Sequence, residues 1–163
     1  MQQVRASLYY REPLAGVLHK MKYEGLFALA EPLAEMMVAA WPDWEPTPDE
    51  IVPIPLHQRR KRRRGFNQSS LLAIGVSDQV EISFNEQALM RTRHTVPQVD
   101  LSPARRLLNV RGAFTAVAHQ VKGKQILLID DVYTTGATMS AAAEALIASG
   151  ARGVSAYCLA RTV

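Results

Sequence analysis

Two adjacent carboxylates at the end of an apolar run are the residues of this chain best suited to chemistry. The run Ile126–Ile129 leads to Asp130 and Asp131, and a threonine-rich segment, Thr134–Thr138, follows them. In open α/β folds, ligands bind beyond the carboxyl ends of the strands. The threonine-rich segment would present N–H groups and hydroxyls at a helix N-terminus, which favours a phosphate. We therefore expect a phosphate site here, with Gly136 allowing close approach of the backbone.

The acidic pair restricts which phosphate ligand this site can hold, because two carboxylates would repel a phosphate placed beside them. Their partner must be hydroxyl groups that donate hydrogen bonds, or a divalent cation. A ligand with two free ribose hydroxyls, a 5-phosphate and a metal-bound pyrophosphate meets these requirements. 5-Phosphoribosyl-1-pyrophosphate (PRPP) is such a ligand, and it would bring Mg²⁺ as the cofactor.

Other interpretations of the acidic segment fit less well. A Walker phosphate loop is excluded, because G-x-x-x-x-G-K-[ST] occurs nowhere in the sequence. The phospho-acceptor domains of response regulators carry a similar acidic pair, but they need most of the domain after it. Asp130 stands near the end of a 163-residue chain. A purely structural strand–turn–helix is a third reading, and it gives no reason for two carboxylates at the edge of a sheet.

A second anion site is indicated by the middle of the chain. Residues 51–115 carry 11 basic and 4 acidic side chains, whereas residues 1–50 carry 4 basic and 8 acidic ones. The apolar run Ile51–Pro55 ends in a proline-shaped turn and is followed by the cationic stretch Arg59–Arg64. Such a basic region meets either a polyphosphate or a nucleic acid. Six consecutive cations cannot all face one ligand, so several of them must be solvated.

Nucleic-acid binding by this stretch is predicted only as an electrostatic contact. Lys61, Arg62 and Arg63 could meet the phosphates of single-stranded or duplex DNA. Phe66 is the sole aromatic neighbour in the sequence, so the stretch lacks a stacking platform for bases. Arg64, beside Gly65, is expected to anchor the loop instead.

The amino-acid composition limits the classes of protein to which the chain can belong. At 163 residues, with 48% hydrophobic and 21% charged residues, the chain fits one compact domain over residues 1–163. Its apolar runs fall short of the roughly 20 residues that cross a bilayer, and no signal peptide is evident, so no membrane insertion is expected. The single cysteine, Cys158, can form neither an internal disulfide nor a zinc cluster, which favours a cytoplasmic location. No histidine has metal-ligand spacing.

Strands that alternate with helices predict an α/β fold with a parallel sheet covered on both faces. We predict strands at Val4–Tyr10, Ile51–Pro55, Ala113–Val117, Gln125–Ile129 and Val154–Leu159. Helices are predicted at Glu12–Tyr23, Leu26–Trp41, Asn67–Ile74 and Thr138–Ser149. The segment Ile82–Met90 is ambiguous, and Arg91–Arg111 lacks periodicity, so we interpret it as a long mobile loop.

The sequence resembles a known family in most of its length. Ile126–Thr138 is similar to the PRPP-binding motif of type I phosphoribosyltransferases. Val52–Pro55 and the block Arg64-Gly-Phe-Asn-Gln68 resemble the ComF (competence protein F) family of that superfamily, as does the later pattern Arg91…Thr95…Gln98…Leu101…Arg106…Asn109…Phe114. The resemblance spans about residues 4–162 and implies the type I phosphoribosyltransferase fold, a mostly parallel twisted sheet flanked by helices.

This resemblance implies a role for each site residue. Asp130 and Asp131 would hold the ribose hydroxyls, and the 5-phosphate would be wrapped by Thr134, Thr135, Gly136, Ala137 and Thr138. The pyrophosphate would be cradled by Leu56, His57, Gln58, Arg59 and Arg60. A flexible hood, Arg91–Arg111, would close over PRPP, and Arg91, Thr95 and Gln98 would join the acidic pair in catalysis. Mg²⁺ would be carried by PRPP near Asp130 and Asp131, without direct protein ligands.

The resemblance also sets the functional alternatives. The leading hypothesis is a phosphoribosyltransferase that attaches the phosphoribosyl group to an unidentified nitrogenous acceptor and is associated with DNA uptake. The alternative is a non-catalytic PRPP sensor or DNA-binding competence protein with partners in the competence machinery, and a plain nucleic-acid-binding module is a third reading. Family members commonly begin with a cysteine-rich zinc module, whereas this sequence contains only Cys158. Either the sequence starts after that module or this branch of the family lacks it, so two explanations stay open.

Overall fold

The computed structural model describes residues 1–93 and 109–162. Five parallel strands form the main sheet in the order β1-β7-β6-β2-β3, and a separate antiparallel hairpin pairs β4 with β5. The strands are β1 (Val4–Tyr9), β2 (Glu50–Pro53), β3 (Ser83–Phe84), β4 (Leu89–Arg91), β5 (Phe114–Ala116), β6 (Gln125–Tyr133) and β7 (Gly153–Arg161). The predicted α/β architecture with a mostly parallel sheet is confirmed.

The helices cover both faces of this sheet. They are α1 (Leu14–Tyr23), α2 (Ala30–Ala39, after a 3₁₀ turn at Phe27–Leu29), α3 (Gln58–Arg64), α4 (Gln68–Val80), α5 (Ala118–Val121) and α6 (Ala137–Ala148). Alternation along β6 sends Ile126 and Leu128 into the core shared with α6 and the hairpin. Leu127 and Ile129 enter the opposite core, which contains α1, α2 and α4. Both faces are therefore apolar, as the unbroken hydrophobic run in β6 requires.

Because the five strands are parallel, their carboxyl ends meet at one edge of the sheet. Tyr10 follows β1 there, the segment Ile54–His57 follows β2, and the acidic pair lies near the end of β6. Residues that are distant in sequence are thereby brought together at the edge where α/β folds bind ligands.

Two predicted element boundaries near this edge were wrong. The acidic pair does not follow its strand but lies inside it, since β6 continues to Tyr133 against β7. Asp130 is paired in register with Cys158, and Tyr133 with Arg161. The cationic stretch Arg59–Arg64 is not a loop. It belongs to α3, which begins after His57, whose Nδ1 accepts a hydrogen bond from Arg59 N at 3.2 Å.

Smaller differences concern the helices and the hairpin. The predicted helix Leu26–Trp41 is divided into the 3₁₀ turn and α2. Residues Ile82–Met90 contribute two short strands, and Ala113–Val117 belongs to the antiparallel hairpin rather than the main sheet. In α6, Met139, Ala142, Ala143 and Leu146 are buried, whereas Ile147 is 46% exposed. Among the described residues, no helix has the length and apolarity needed to cross a bilayer.

Candidate functional site

A pocket of about 370 Å³ opens at the carboxyl edge of the sheet. Its volume lies within the range of small-molecule sites, roughly 300–1,000 Å³. The lining residues come from six separate stretches of the chain: Tyr10, Lys22, Ile54, Pro55, Leu56, Arg60, Gln68, Ser69, Arg91, Asp130, Asp131, Val132, Thr134 and Thr138. The fold therefore gathers the acidic pair, the phosphate segment and part of the cationic region around one space.

The acidic pair is held by residues of α1 and α4. Ser69 Oγ donates a hydrogen bond of 2.7 Å to Asp130 Oδ1, which also accepts one of 2.9 Å from the backbone N–H of Asp131. The Asp131 carboxylate forms a salt bridge with the ammonium of Lys22 and a hydrogen bond with Gln68. The two carboxylates are thus fixed by different neighbours: Asp130 by a residue of α4, and Asp131 by residues of α1 and α4.

The surroundings of the two carboxylates shift their pKa values in opposite directions. Burial, followed by the charge of Asp131, raises the pKa of Asp130 to about 7. Burial acts in the same direction on Asp131, but the charge and hydrogen bond of Lys22 outweigh it, so the pKa of Asp131 is lowered. Asp131 is therefore the carboxylate that stays ionised, and Asp130 is the one that titrates near neutral pH.

Arg60 and Arg91 bring two cations to the same pocket. Arg91 is 9% exposed, and burial, together with the charge of Arg60, lowers its pKa to about 10. The pKa of Arg60 is lowered by burial and by the charge of Arg64. Two partly desolvated guanidinium groups that repel each other are stabilised by an anion between them.

The threonine-rich segment Thr134–Thr138 enters the same site from the end of β6. Thr134 and Thr138 line the pocket, and with Gly136 and Ala137 they also enclose a smaller cavity of about 40 Å³. Gly136 has φ = 76°, and a Cβ built there would lie 2.8 Å from Cζ of Tyr133. Glycine is therefore required both by the left-handed backbone and by the Tyr133 ring.

Comparison with known proteins gives the family of the chain. Residues 60–162 match the phosphoribosyl transferase domain. The chain is 36% identical to DNA utilization protein YhgH of Escherichia coli over 159 residues, which is 94% of this chain and 70% of that protein. It is 31% identical to competence protein F of Haemophilus influenzae, again over 94% of this chain and 70% of the relative. The chain belongs to the ComF family.

A solved structure agrees with this assignment at the level of the fold. Glutamine PRPP amidotransferase from Bacillus subtilis, complexed with ADP and GMP, superposes with a TM-score of 0.56 and 24% sequence identity. The superposition covers 82% of this chain and 26% of the amidotransferase chain. The type I phosphoribosyltransferase fold expected for a ComF protein is thereby confirmed.

The segment expected to cradle pyrophosphate in this ComF protein is only partly turned toward the pocket. Leu56 and Arg60 line it. His57 and Gln58 instead line a neighbouring cavity of about 430 Å³, which also contacts Arg91. Arg59 is exposed and lines neither cavity, because the helical turn of α3 directs successive residues in different directions.

The ComF block Gly65–Gln68 has a physical explanation in the contacts of Asn67. Its Nδ2 donates to the carbonyl of Ile54 at 3.0 Å and to Ser70 Oγ at 2.8 Å. Its Oδ1 accepts a hydrogen bond of 3.3 Å from Ser69 N and so caps α4. The block therefore fixes the turn after β2 relative to the helix that carries Ser69 and Gln68 to the acidic pair.

Four lining residues were missed by reasoning from the sequence: Tyr10, Lys22, Gln68 and Ser69. The ComF block contained Gln68 and bordered Ser69, so its family specificity was the available signal for these two. Tyr10 and Lys22 lie in the first 23 residues and show no motif of their own. The need of the acidic pair for a counter-ion was recognised, but a lysine of α1 was not considered.

The predicted catalytic residues have different outcomes. Arg91 lines the pocket together with the acidic pair. Thr95 and Gln98 lie outside the described residues, as does most of the predicted hood, Arg91–Arg111. No cluster of three or more metal-ligating side chains was found where the chain is described.

Proposed function

We propose that this ComF-family chain binds PRPP in the pocket and transfers its phosphoribosyl group to a nitrogenous acceptor. The observation that carries this proposal is the meeting of three chemically different groups around one space. An acidic pair, a threonine–glycine segment and two partly buried arginines suit hydroxyls, a phosphate monoester and a pyrophosphate respectively.

Each part of PRPP has a complementary group in this pocket. Asp130 and Asp131 accept hydrogen bonds from the ribose hydroxyls. The 5-phosphate lies against the segment Thr134–Thr138, to which Thr135, whose side chain is exposed, contributes its backbone N–H group. Arg60 and Arg91 neutralise the pyrophosphate. Of the segment Leu56–Arg59, Leu56 is the residue that borders this ligand.

Mg²⁺ fits this arrangement as a companion of PRPP. It is a hard cation that prefers oxygen ligands and keeps several waters, and phosphate oxygens commonly supply part of its coordination. The carboxylates of Asp130 and Asp131 provide oxygen atoms near the proposed pyrophosphate position. When bound, the ion neutralises charge on the departing pyrophosphate.

The reaction replaces one bond at C1 of the ribose. A C–N bond to the acceptor forms as the C–O bond to pyrophosphate breaks, and pyrophosphate leaves with the electron pair. The acceptor nitrogen then loses its proton to solvent. The protein stabilises the developing charge on the leaving group with Arg60 and Arg91, and it orients the ribose through the acidic pair. The predicted hood would exclude water.

A pyrophosphate-release assay tests turnover. We expect PRPP and Mg²⁺ to give pyrophosphate at a rate that depends on one member of a panel of purine, pyrimidine and simple amine acceptors. Asp131→Asn should lower that rate by roughly ten- to a hundredfold, because one charge-assisted hydrogen bond is weakened. Binding of PRPP without release, for every acceptor tested, would favour a non-catalytic PRPP sensor.

A second candidate function, single-stranded DNA binding, is favoured by the surroundings of α3. Phe66 is the sole aromatic neighbour in the sequence, but α1 and the 3₁₀ turn bring Tyr23 and Phe27 beside this helix as a candidate stacking platform. Tyr23 is 59% and Phe27 62% exposed. The guanidinium of Arg64 lies 5.5 Å from the centre of the Tyr23 ring, and the Phe27 and Phe66 rings are 6.2 Å apart.

This platform and the exposed cations of α3 form a combination that suits unpaired bases. Arg62 and Arg63 are exposed, whereas Lys61 forms an ion pair of 2.9 Å with Glu86 and is less available to DNA. We propose that this face contacts nucleic acid in a cytoplasmic protein of the competence machinery. The names of the relatives, which refer to DNA utilization and competence, support this proposal.

Fluorescence anisotropy separates this candidate from a plain electrostatic contact. Changing Arg62 and Arg63 to Ala should weaken single-stranded and duplex DNA alike and make the salt dependence shallower, by about 0.7–0.9 in the log–log slope for each lost phosphate contact. Changing Tyr23 and Phe27 to Ala should weaken single-stranded DNA selectively. Arg152→Ala, which removes a cation paired with Asp49 at the other edge of the sheet, is the control. Equal binding by all variants would contradict a DNA site on α3.

A further inference from the structure

Lys22 lies where its ammonium group can contact either the acidic pair or a polyphosphate in the pocket. It lies in the last turn of α1 and lines the pocket together with Arg60 and Arg91. Its side chain is 22% exposed, whereas that of Asp131, its salt-bridge partner, is 6% exposed. The ammonium group therefore stands between a buried carboxylate and the open space of the pocket.

Lys22 and a ribose hydroxyl compete for the same carboxylate. Asp131 already accepts a hydrogen bond from Lys22 and bonds with Gln68, and little of its surface faces the pocket. A ribose hydroxyl forms its strongest hydrogen bond with Asp131 if the ammonium group of Lys22 moves away from the carboxylate. Asp131 can release this counter-ion when the ligand supplies its own donors.

The surroundings of Lys22 permit such a movement of the side chain alone. Leu18 and Met21, on the same helix, are buried and keep the backbone of α1 against the sheet. A lysine ammonium is a point charge on a flexible four-carbon stem, so it can change partners without a change in the helix. Burial and the charge of Arg64 disfavour the charged form of Lys22, but Asp131 and Asp130 outweigh them and raise its pKa, so the ammonium group stays charged and needs an anionic partner.

Building on the proposed PRPP site, we propose that Lys22 is an exchangeable counter-ion. It pairs with Asp131 in the free protein and with the pyrophosphate of PRPP in the complex. The exchange frees the acidic pair for the ribose only when a polyphosphate is present to receive the ammonium. Lys22 would then favour PRPP over ribose 5-phosphate, which contains the ribose and the 5-phosphate but no pyrophosphate.

The variant Lys22→Met tests this exchange through two ligands that each represent half of PRPP. Calorimetric affinities would be measured for ribose 5-phosphate without magnesium and for magnesium pyrophosphate. We expect ribose 5-phosphate to bind roughly two- to tenfold more tightly, because a competing donor is gone. Pyrophosphate should bind roughly ten- to a hundredfold more weakly, because a charge-assisted contact is lost. The opposite signs are the signature of exchange.

Lys20→Met is the matched control, since it removes an equal charge from the exposed side of the same helix and should change neither affinity. Thermal melting confirms that both variants are folded. Weaker binding of both ligands to Lys22→Met, or unchanged binding of pyrophosphate, would show that Lys22 stays on Asp131 and would overturn the exchange. Failure of the unaltered chain to bind PRPP or either half would overturn the proposed function and the exchange with it.

Discussion

Asp130 and Asp131 are neighbours in β6, yet their pKa values are shifted in opposite directions. The pKa of Asp130 is raised to about 7 by burial and by the adjacent carboxylate, and the pKa of Asp131 is lowered by Lys22. Asp130 therefore costs the folded protein stability when it is ionised, whereas Asp131 contributes stability in its ionised form. Such strained ionisable pairs are common at binding sites.

The first prediction concerns the effect of pH on the unmodified pair. The folded state favours the protonated form of Asp130, so its contribution to stability is complete in acid. That contribution is lost as the pH rises from about 4, the ordinary value, to about 7. Asp130→Asn removes this loss. Its melting temperature relative to the unaltered chain should therefore rise between pH 5 and pH 8.

Asp131→Asn gives the opposing control for this experiment. It leaves Lys22 without its carboxylate, so it should lower the melting temperature at pH 8. A melting-temperature difference for Asp130→Asn that is the same at pH 5 and pH 8 would contradict the raised pKa.

The second prediction concerns Gly136. Ala at this position must adopt φ = 76° and meet the Tyr133 ring, so the phosphate segment should be displaced. We expect Gly136→Ala to weaken binding of inorganic phosphate and ribose 5-phosphate by more than about tenfold. Gly112→Ala is the control, because it has φ = 63° but nothing within 4 Å of an added Cβ. Equal affinities in both variants would argue against a phosphate seat at this segment.

At the scale of secondary-structure elements, α4 connects the turn after β2 with the acidic pair on β6. Asn67 at its start binds the turn after β2, and Ser69 in its first turn binds Asp130. α4 also packs on β6 through Leu72 and Val76, which are buried in the core shared with α1 and α2. A change at the N-terminus of α4 should therefore affect the site more than the fold.

The third prediction uses Asn67→Ser to separate these roles. Serine caps a helix about as well as asparagine, so the helix should remain stable. It cannot replace the amide donor to the Ile54 carbonyl, so the turn that carries Leu56 loses its anchor. We expect pyrophosphate affinity to fall while the melting temperature changes little. Asn67→Ala, which removes the cap as well, should cost about 1 kcal/mol of stability in addition. Equal pyrophosphate affinity in Asn67→Ser and the unaltered chain would argue against this anchoring role.

Much of this arrangement could be predicted from local sequence. The apolar run before Asp130 and the spacing in α1 and α6 were sufficient for the strand and helix assignments, because burial dictates those patterns. The helical state of Arg59–Arg64 could not be predicted from periodicity, since a run of cations has none. Its helix depends on the cap at His57 and on Gly65, which ends it with φ = 86°.

The residues missed in the pocket illustrate a second limit. Lys22 and Asp131 are 109 positions apart, and only the topology of the sheet brings α1 beside β6. In the sequence, Lys22 is indistinguishable from the solvated Lys20, which lies two positions before it on the same amphipathic helix. Contacts between distant segments therefore had to come from the fold.

At the scale of the whole molecule, the carboxyl edge of the sheet carries both proposed binding surfaces. Arg60 lines the PRPP pocket, and Arg62 and Arg63 are exposed on the same short helix. The proposed ligand and the proposed nucleic acid would therefore contact different arginines of α3. The concentration of positive charge in the middle of the chain would serve both proposed ligands.

The fourth prediction follows from this shared helix. Arg60→Ala should weaken PRPP and leave single-stranded DNA binding nearly unchanged, whereas changing Arg62 and Arg63 to Ala should do the reverse. Arg59→Ala, which alters an exposed residue outside both cavities, should affect PRPP little. PRPP titration and fluorescence anisotropy of each variant check these outcomes. If every variant lost affinity for PRPP and for single-stranded DNA to the same extent, the arginines of α3 would not be specialised for different ligands.

Calorimetric titration with PRPP and Mg²⁺ tests the central claim most directly. We predict saturable binding with one ligand per chain, and a loss of about 1.5–3 kcal/mol, roughly ten- to a hundredfold in affinity, in Asp131→Asn. Thr138→Val, at the opposite end of the proposed ligand, should weaken binding independently. No heat of binding for the unaltered chain, or equal affinity in the chain and both folded variants, would contradict a PRPP site at this pocket.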